Sequence, residues 1–242
     1  AKALSLGVVM GMPLANPGGK PYNAVVMIDR DGTPAGFQAK THFFGGEEKM
    51  FAPGTSLRAF DTSFGRMGIL VCYDGEFPET ARSLALDGAK LICMCAANMS
   101  PYEDYHFLYM RTRAMENRAY TLYCNYVGDE KRFHYCGQSG AFHPTGRILA
   151  EAGTQEETTL YALIDMEDTT APDDFLNYLH HRQPQLVRLC VGCRLSAHHA
   201  ADGAAVASGD GHRDFLELFL GLLPLASAAV RAFFPPAPQR QR

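Results

Sequence analysis

GILVCYDGEFPETAR, residues 68–82 of the chain, joins the pattern of a buried strand to the pattern of a helix. The apolar run over Phe64–Cys72 is nearly continuous, which is typical of a strand in a sheet that is covered on both faces. Pro78 stands in a first-turn position of the helix that we predict over Phe77–Asp87, because a proline there needs no partner for a backbone N–H. Cys72 therefore lies where a buried strand ends and a helix follows.

Strand and helix patterns continue on both sides of this stretch. A helix is predicted over Tyr105–Asn117, and a further strand leads to Lys40. The other predicted strands are Gly7–Met12, Asn23–Asp29, Ala89–Ala97, Tyr120–Val127, Gly140–His143, Ile148–Glu151 and Thr159–Ile164. The alternation of strand and helix in the middle of the chain predicts an α/β layered domain.

The composition of the chain excludes several classes of protein. Its 242 residues correspond to one or two domains, at about 150 residues per domain. With 47% hydrophobic and 20% charged residues, it resembles a soluble globular protein rather than a disordered or polytopic membrane protein. Its net charge of −4 gives no general attraction to nucleic acid. We therefore expect neither a nucleic acid nor a membrane as partner.

The seven cysteines predict a reducing compartment and hence a cytoplasmic protein. Their number is odd, and most lie in apolar runs, where a cysteine behaves as a small hydrophobic residue. The pairs Cys93/Cys95 and Cys190/Cys193 have spacings that could suggest a metal, but a zinc site needs four convergent ligands. In a strand, Cys93 and Cys95 share one face. We therefore expect them in the core and predict no metal site.

The composition changes near the C-terminus. Residues 191–242 include 11 alanines and no Lys, Asn, Ile, Tyr, Met or Thr. We therefore place one domain at 1–189 and an atypical Ala-rich tail, outside the core fold, at 190–242. Within the tail, Phe215–Phe234 is apolar but interrupted by charged residues and proline, which favours an amphipathic or loosely ordered segment over a membrane span. An out-of-frame extension is the alternative origin of this tail.

The candidate chemistry lies in the middle of the chain. A cysteine is a useful nucleophile where its thiolate is accessible and stabilised, and the end of a buried strand before a helix offers both exposure and backbone N–H donors. Cys72 is the cysteine in that position. Such a nucleophile also needs a base and a group that stabilises an oxyanion. Lys40, at a strand end before the turn Gly45-Gly46, is the candidate cation.

Three segments resemble the nitrilase superfamily of carbon–nitrogen hydrolases: FQAKTHFFGGEEKMFAPG (37–54), GILVCYDGEFPETAR (68–82) and RTRAMENRAYTLYCNYVG (111–128). The resemblance covers roughly residues 5 to 187. It implies a four-layer α-β-β-α sandwich that forms homodimers or higher homo-oligomers through the helices covering the sheets. It also implies hydrolysis of a non-peptide C–N bond in a small molecule through a thioester, without any cofactor.

The resemblance also implies roles for particular residues. Cys72 would be the nucleophile, and Lys40 would stabilise the oxyanion together with the backbone N–H of Tyr73. Glu48, eight residues after Lys40, matches the family's second glutamate, which positions the substrate and the lysine. Glu47 is adjacent, and the register between the two glutamates stays open. Two further residues are expected to line the substrate pocket, Asn98 and Tyr102.

One part of the family pattern is absent from the sequence. The family's general base is a glutamate that precedes the catalytic lysine by several tens of residues, whereas this sequence has no Glu before Glu47. Asp29 and Asp31 are the acidic residues before Lys40, and both belong to a predicted hairpin turn. We therefore expect an N-terminally truncated fold that lacks the first strands, the first helix and the base. The apolar run that opens the chain suggests the same.

The residues after Cys72 bear on the substrate. Nitrilases in the strict sense place Trp-Glu after the nucleophile, whereas this chain has Tyr73-Asp74, which resembles the amidase and carbamoylase branches. We therefore expect an amide or N-carbamoyl substrate that releases ammonia. Two other classes stay open: a non-catalytic scaffold or interaction protein, because the base is absent, and a metal or redox protein that uses its Cys and His residues.

Overall fold

The computed structural model describes residues 1–168 and 176–186, together with the backbone of Ala229–Phe233. A three-stranded antiparallel sheet forms first, from β1 (Val8–Leu14), β2 (Tyr22–Ile28) and β3 (Pro34–Ala39), in the order β1-β2-β3. The turn between β2 and β3 closes with a hydrogen bond from the Asp29 N–H to the Thr33 carbonyl oxygen. This sheet ends directly before Lys40.

A six-stranded sheet follows, in the order β11-β10-β7-β6-β5-β4. Its centre is parallel, with β5 and β7 on either side of β6. Its strands are β4 (Phe60–Thr62), β5 (Gly65–Val71), β6 (Leu91–Ala96), β7 (Tyr120–Asn125), β10 (Gly140–Phe142) and β11 (Ile148–Glu151). Between β7 and β10, a two-stranded hairpin forms from β8 (Val127–Glu130) and β9 (Phe133–Cys136).

Two helices, α1 (Pro78–Leu86) and α2 (Tyr105–Asn117), cover one face of the six-stranded sheet. The three-stranded sheet packs on the other face, where Val25 of β2 shares a core with Ile69 of β5. Leu70, the next residue along β5, points the other way and packs with Leu84 of α1. Because successive side chains of a strand alternate between faces, β5 contributes residues to both cores. Its sequence is therefore a nearly continuous apolar run.

Most strands and both helices lie where the sequence predicts them, within one to three residues at each end. The expected shared face of Cys93 and Cys95 is also observed, since both contribute to the core between the two sheets. One prediction was wrong: Tyr120–Val127 is not a single strand, because β7 ends at Asn125 and the chain then enters the hairpin β8-β9. The short strand β4 was not predicted.

Part of the C-terminal region is described. The backbone of β13 (Ala229–Phe233) lies parallel to β12 (Thr159–Leu163), so this stretch of the predicted amphipathic segment is a strand. The predicted domain boundary near Leu189 and the rest of the tail lie outside the described residues. Within the described residues, no helix is long and apolar enough to cross a membrane.

The close approach of α1 to β5 at Gly68 gives a test of the packing. A Cβ atom at Gly68 would lie 2.9 Å from Cδ1 and 3.1 Å from Cβ of the fully buried Leu84. Gly68→Ala is therefore expected to lower the free energy of unfolding by about 1–3 kcal/mol, as measured by urea denaturation. Gly153→Ala is the matched control, because a Cβ atom at Gly153 meets nothing within 4 Å. Equal stability of the two variants would contradict this packing.

Candidate active site

Three loops meet at the end of the sheets where Cys72 lies. Cys72 follows β5 and Ala97 follows β6, and these neighbouring parallel strands end on the same edge. Lys40 follows β3 of the other sheet. Cys72 has a φ of +50°, in the left-handed region, and begins a 3-10 turn that continues to Glu76. This sharp change of direction leaves the half-buried Cys72 at the rim of the sheet.

Lys40 is buried and forms an ion pair with Glu47. The distance from Lys40 Nζ to Glu47 Oε2 is 2.5 Å, and each residue is 1% exposed. The Glu47 carboxylate also accepts hydrogen bonds from Asn23 Nδ2 at 2.9 Å and from the Phe44 N–H at 2.8 Å. A buried ion pair is tolerated when its remaining hydrogen-bonding groups are satisfied, and these donors satisfy the carboxylate.

The register of the two neighbouring glutamates differs from the one favoured by the eight-residue spacing. Glu48 is exposed, and its carbonyl oxygen accepts a hydrogen bond from Lys20 Nζ at 2.7 Å. Gly45 and Gly46 both have positive φ, and they turn the chain so that Glu47 faces Lys40. The structure therefore pairs Glu47, and not Glu48, with the lysine.

Cys72 and Lys40 influence each other's ionisation. Burial alone would lower the pKa of Lys40, but the negative charges of Cys72, Glu47 and Asp74 outweigh it and raise that pKa above its ordinary value. Burial raises the pKa of the Cys72 thiol, and the ammonium of Lys40 and backbone hydrogen bonds from Ala97 and Tyr73 offset only part of this rise. The site therefore combines a buried ammonium with a thiol whose pKa lies above its ordinary value.

Aromatic rings lie beside these residues. The ring of Tyr73 contacts the ring of Phe44 edge-on, with centroids 5.4 Å apart, and the ring of Phe44 contacts that of Tyr102 at 6.0 Å. Asn98, which was predicted to line the pocket, is buried with its amide committed to the fold, since Nδ2 donates to the Tyr102 carbonyl oxygen at 2.7 Å. Tyr73 and Tyr102 are thus brought together by Phe44, whereas Asn98 supports the loop behind them.

Two residues of the site were not singled out from the sequence. Asp74 is fully buried and binds the chain directly after Lys40. Arg113 of α2 donates to the carbonyl oxygens of Gly75 at 3.2 Å and Glu76 at 2.8 Å, and so holds the turn after Cys72. The sequence does indicate that these two residues have partners, because a charged residue inside an apolar motif needs a buried partner. The partner itself could not be read from spacing.

The two aspartates before Lys40 lie in the hairpin turn, as predicted. Asp29 accepts hydrogen bonds from the Ser63 N–H and the Arg30 N–H, both at 2.7 Å. Asp31 accepts from Thr33, at 2.8 Å from its N–H and 2.6 Å from its hydroxyl. The Asp31 carboxylate is thus occupied by its own turn, and the Asp29 carboxylate by its turn and by Ser63.

The buried Lys40–Glu47 pair and the cysteine at the end of a central strand lie on an α/β scaffold of two packed sheets. The carbon–nitrogen hydrolase family model matches residues 1–172, and the chain belongs to that family. Its fold is the α/β fold of the nitrilase type. An amidase from Nesterenkonia sp. AN1 superposes with a TM-score of 0.64 at 25% identity, over 76% of this chain and 69% of that one. That amidase carries acrylamide added covalently at its active-site cysteine.

Curated relatives support the same assignment. A hydrolase encoded in the pqqF 5′ region of Pseudomonas protegens is 38% identical over 77% of this chain and 66% of its own length. An (R)-stereoselective amidase from Pseudomonas sp. is 33% identical over 75% of this chain and 65% of its own length. The chain therefore spans slightly less than two thirds of the length of these relatives.

The pairing of Glu47 with Lys40 predicts unequal roles for the two neighbouring glutamates. Glu47→Gln leaves a buried ammonium without its compensating charge, so the free energy of unfolding should fall by about 3–5 kcal/mol. The matched variant Glu48→Gln should leave it essentially unchanged, because Glu48 is exposed. Urea denaturation of both variants measures the difference. A larger loss in Glu48→Gln would show that the register is wrong.

The raised pKa of Cys72 predicts its reactivity as a function of pH. Since the thiolate is the reactive form, alkylation of Cys72 by iodoacetamide should still be rising above pH ~9.5, where a free thiol with a pKa of about 8.5 levels off. Lys40→Met should move the curve to higher pH, because the ammonium lowers the pKa of Cys72. Peptide mass spectrometry follows the labelling, with Cys93, whose pKa is raised to about 12 by burial, as the internal control. A midpoint at or below that of a free thiol contradicts this electrostatic description.

Proposed function

We propose that the protein hydrolyses a small amide or N-carbamoyl substrate through a thioester on Cys72. The observation that carries this proposal is the buried ammonium of Lys40, which is fixed by Glu47 beside a cysteine at the end of a central strand. A fixed positive charge in a site shielded from water is what a developing oxyanion requires.

The first half of the reaction forms the thioester. The sulfur of Cys72 attacks the carbonyl carbon, a C–S bond forms, and the carbonyl electron pair moves onto oxygen. The ammonium of Lys40 and the backbone N–H of Tyr73 stabilise that oxyanion. Collapse of the tetrahedral intermediate restores the carbonyl and breaks the C–N bond, and the leaving nitrogen takes up the proton that the thiol of Cys72 has lost, so that ammonia is released.

The second half releases the product. Water attacks the thioester carbonyl, a second oxyanion forms at the same position, and the C–S bond breaks to return the thiol of Cys72. Glu47 holds Lys40 in place through both halves. The edge-on rings of Tyr73, Phe44 and Tyr102 favour a substrate with a small or flat acyl group near the cysteine.

Two observations support an amide over a nitrile. The residues that follow the cysteine, Tyr73 and Asp74, resemble the amidase and carbamoylase branches. Among the similar proteins, the (R)-stereoselective amidase of Pseudomonas sp. is named for amide chemistry, and so is the amidase of Nesterenkonia sp. AN1.

A second candidate function is that of a non-catalytic scaffold. The thiol of Cys72 needs a base to take its proton, yet the carboxylates of Glu47 and Asp74 already accept hydrogen bonds from several donors within the fold. Within the described residues, neither is free to act as a base toward substrate. This observation favours binding without turnover unless a further carboxylate reaches Cys72.

Association of identical chains is also proposed. The helix layer presents apolar side chains to the outside, and Leu86 of α1 and Leu108 of α2 are 52% and 59% exposed. Exposed apolar side chains on the two helices that cover the sheet are consistent with a protein interface, here a homodimer. The five described cysteines are free thiols, which supports the proposal of a cytoplasmic location.

Two substrates, an amide and an activated ester, distinguish catalysis from the scaffold function. Under the proposal, the protein releases ammonia from a simple amide such as propionamide, and Cys72→Ala abolishes this release. Lys40→Met should lower kcat by about 10²–10³-fold, the usual loss when one oxyanion donor is removed. Ammonia release and the intact mass of the protein are the two readouts.

The controls use an activated ester. p-Nitrophenyl acetate acylates a thiolate without protonation of its leaving group, so at a pH high enough to ionise Cys72 it tests the nucleophile without the base. Acetylation at Cys72 without any amide turnover would favour the scaffold function. If neither the ester nor the amide reacts at Cys72, the proposed function is wrong.

A further inference from the structure

Lys40 and Cys72 come from different sheets. Lys40 follows β3 of the three-stranded sheet, and Cys72 follows β5 of the six-stranded sheet, so no hydrogen-bonded strand ladder sets their separation. Something else has to hold the two loops in register, because a site of this kind fails when its groups move by a fraction of an ångström to an ångström.

Asp74 joins the two loops. It lies two residues after Cys72 and is fully buried, at 0% exposure. Its Oδ1 accepts hydrogen bonds from the Thr41 hydroxyl at 2.7 Å, the His42 N–H at 2.8 Å and His42 Nδ1 at 2.9 Å. The Thr41 N–H lies 3.2 Å from both carboxylate oxygens. All of these donors belong to the two residues that directly follow Lys40.

Both ends of this contact are fixed in turn. The carbonyl oxygen of Asp74 accepts a hydrogen bond from the Thr80 hydroxyl of α1 at 2.7 Å. On the other side, the ring of His42 stacks on the ring of Phe77, with centroids 3.9 Å apart and planes at 15°. A buried carboxylate is stable only while its donors stay in place, so any shift of Thr41 and His42 away from Asp74 is disfavoured.

We propose that Asp74 is a positioning residue that clamps the Lys40 loop to the Cys72 loop and so keeps the ammonium beside the sulfur. Glu47 and Asp74 thereby have different roles. Glu47 orients the side chain of Lys40, and Asp74 fixes the backbone of the two residues that follow it. The importance of this role for catalysis rests on the proposed function. The clamp itself can be tested without any turnover of substrate.

The test measures the pH dependence of Cys72 alkylation in the 242-residue chain. The titratable groups that face Cys72 are Lys40 and Glu47 from the loop after β3, Tyr123 from β7 and Tyr135 from β9. Asp74→Asn keeps one acceptor oxygen but removes the charge. If Asp74 holds Lys40 in place, the curve moves to higher pH, and the rate at pH 8 falls by about tenfold, equivalent to one pKa unit.

The sign of the shift separates positioning from a direct charge effect. A negative charge near the thiol raises its pKa, so loss of that charge alone would move the curve to lower pH. Thr41→Val removes one donor without changing any charge, and it should slow alkylation at pH 8 by about threefold. Asp129→Asn is the control, because Asp129 also pairs with a histidine, His134 Nδ1 at 2.7 Å, but on the surface. That variant should not move the curve.

The outcomes are distinct. A shift to higher pH in Asp74→Asn and Thr41→Val, with far-UV circular dichroism unchanged, supports the clamp. No shift, or a shift to lower pH, overturns it. If Asp74→Asn does not fold, Thr41→Val decides alone. Ammonia release from propionamide is measured in parallel: an inactive parent chain with an intact alkylation shift contradicts the proposed function and leaves the clamp standing.

Discussion

The burial of the Lys40–Glu47 ion pair is the constraint around which this structure is arranged. An ammonium and a carboxylate taken out of water are destabilising unless each finds its partner and the remaining oxygens find donors. Glu47 meets this condition only because Asn23 of β2 and the backbone N–H of Phe44 point at it. The path of the loop between β3 and the 3-10 turn at Glu47 follows from that requirement, and so does the place of the charge beside Cys72.

The layer order explains why the pair lies where a nucleophile can use it. β5 is buried on both faces, against the three-stranded sheet through Ile69 and against α1 through Leu70. At its C-terminal end the chain leaves the sheet, and the left-handed φ of Cys72 turns it sharply there. The same edge carries the backbone of Ala97 from β6. Parallel neighbours end together, so one sheet supplies both Cys72, the proposed nucleophile, and a backbone hydrogen bond to it.

The sequence alone predicts the strands and helices whose burial is the same along their whole length. Apolar runs such as Gly65–Val71 predict strands because both faces are covered, and Cys72 stands out because it follows such a strand. Lys40 stands out because it lies at a strand end before the turn Gly45-Gly46. The choice between Glu47 and Glu48 needed the structure, because the two positive φ values at Gly45 and Gly46 set which glutamate faces inward. The hairpin β8-β9 was missed since its half-exposed strands carry no clear alternation. The partners of Asp74 join positions 32 and 33 residues apart, which no local pattern encodes.

The direction in which the pKa of Cys72 moves bears on the role proposed for Lys40. If Lys40 served to generate a resting thiolate, its charge would have to overcome the burial of the sulfur, and it does not. The ammonium is paired with Glu47 and held from behind by Asp74, so its own position is fixed before any substrate arrives. A charge that is already in place stabilises a newly formed negative charge without reorganisation. Under the proposed function, Lys40 therefore serves the oxyanion of the tetrahedral intermediate, and removal of the proton from Cys72 requires a separate group.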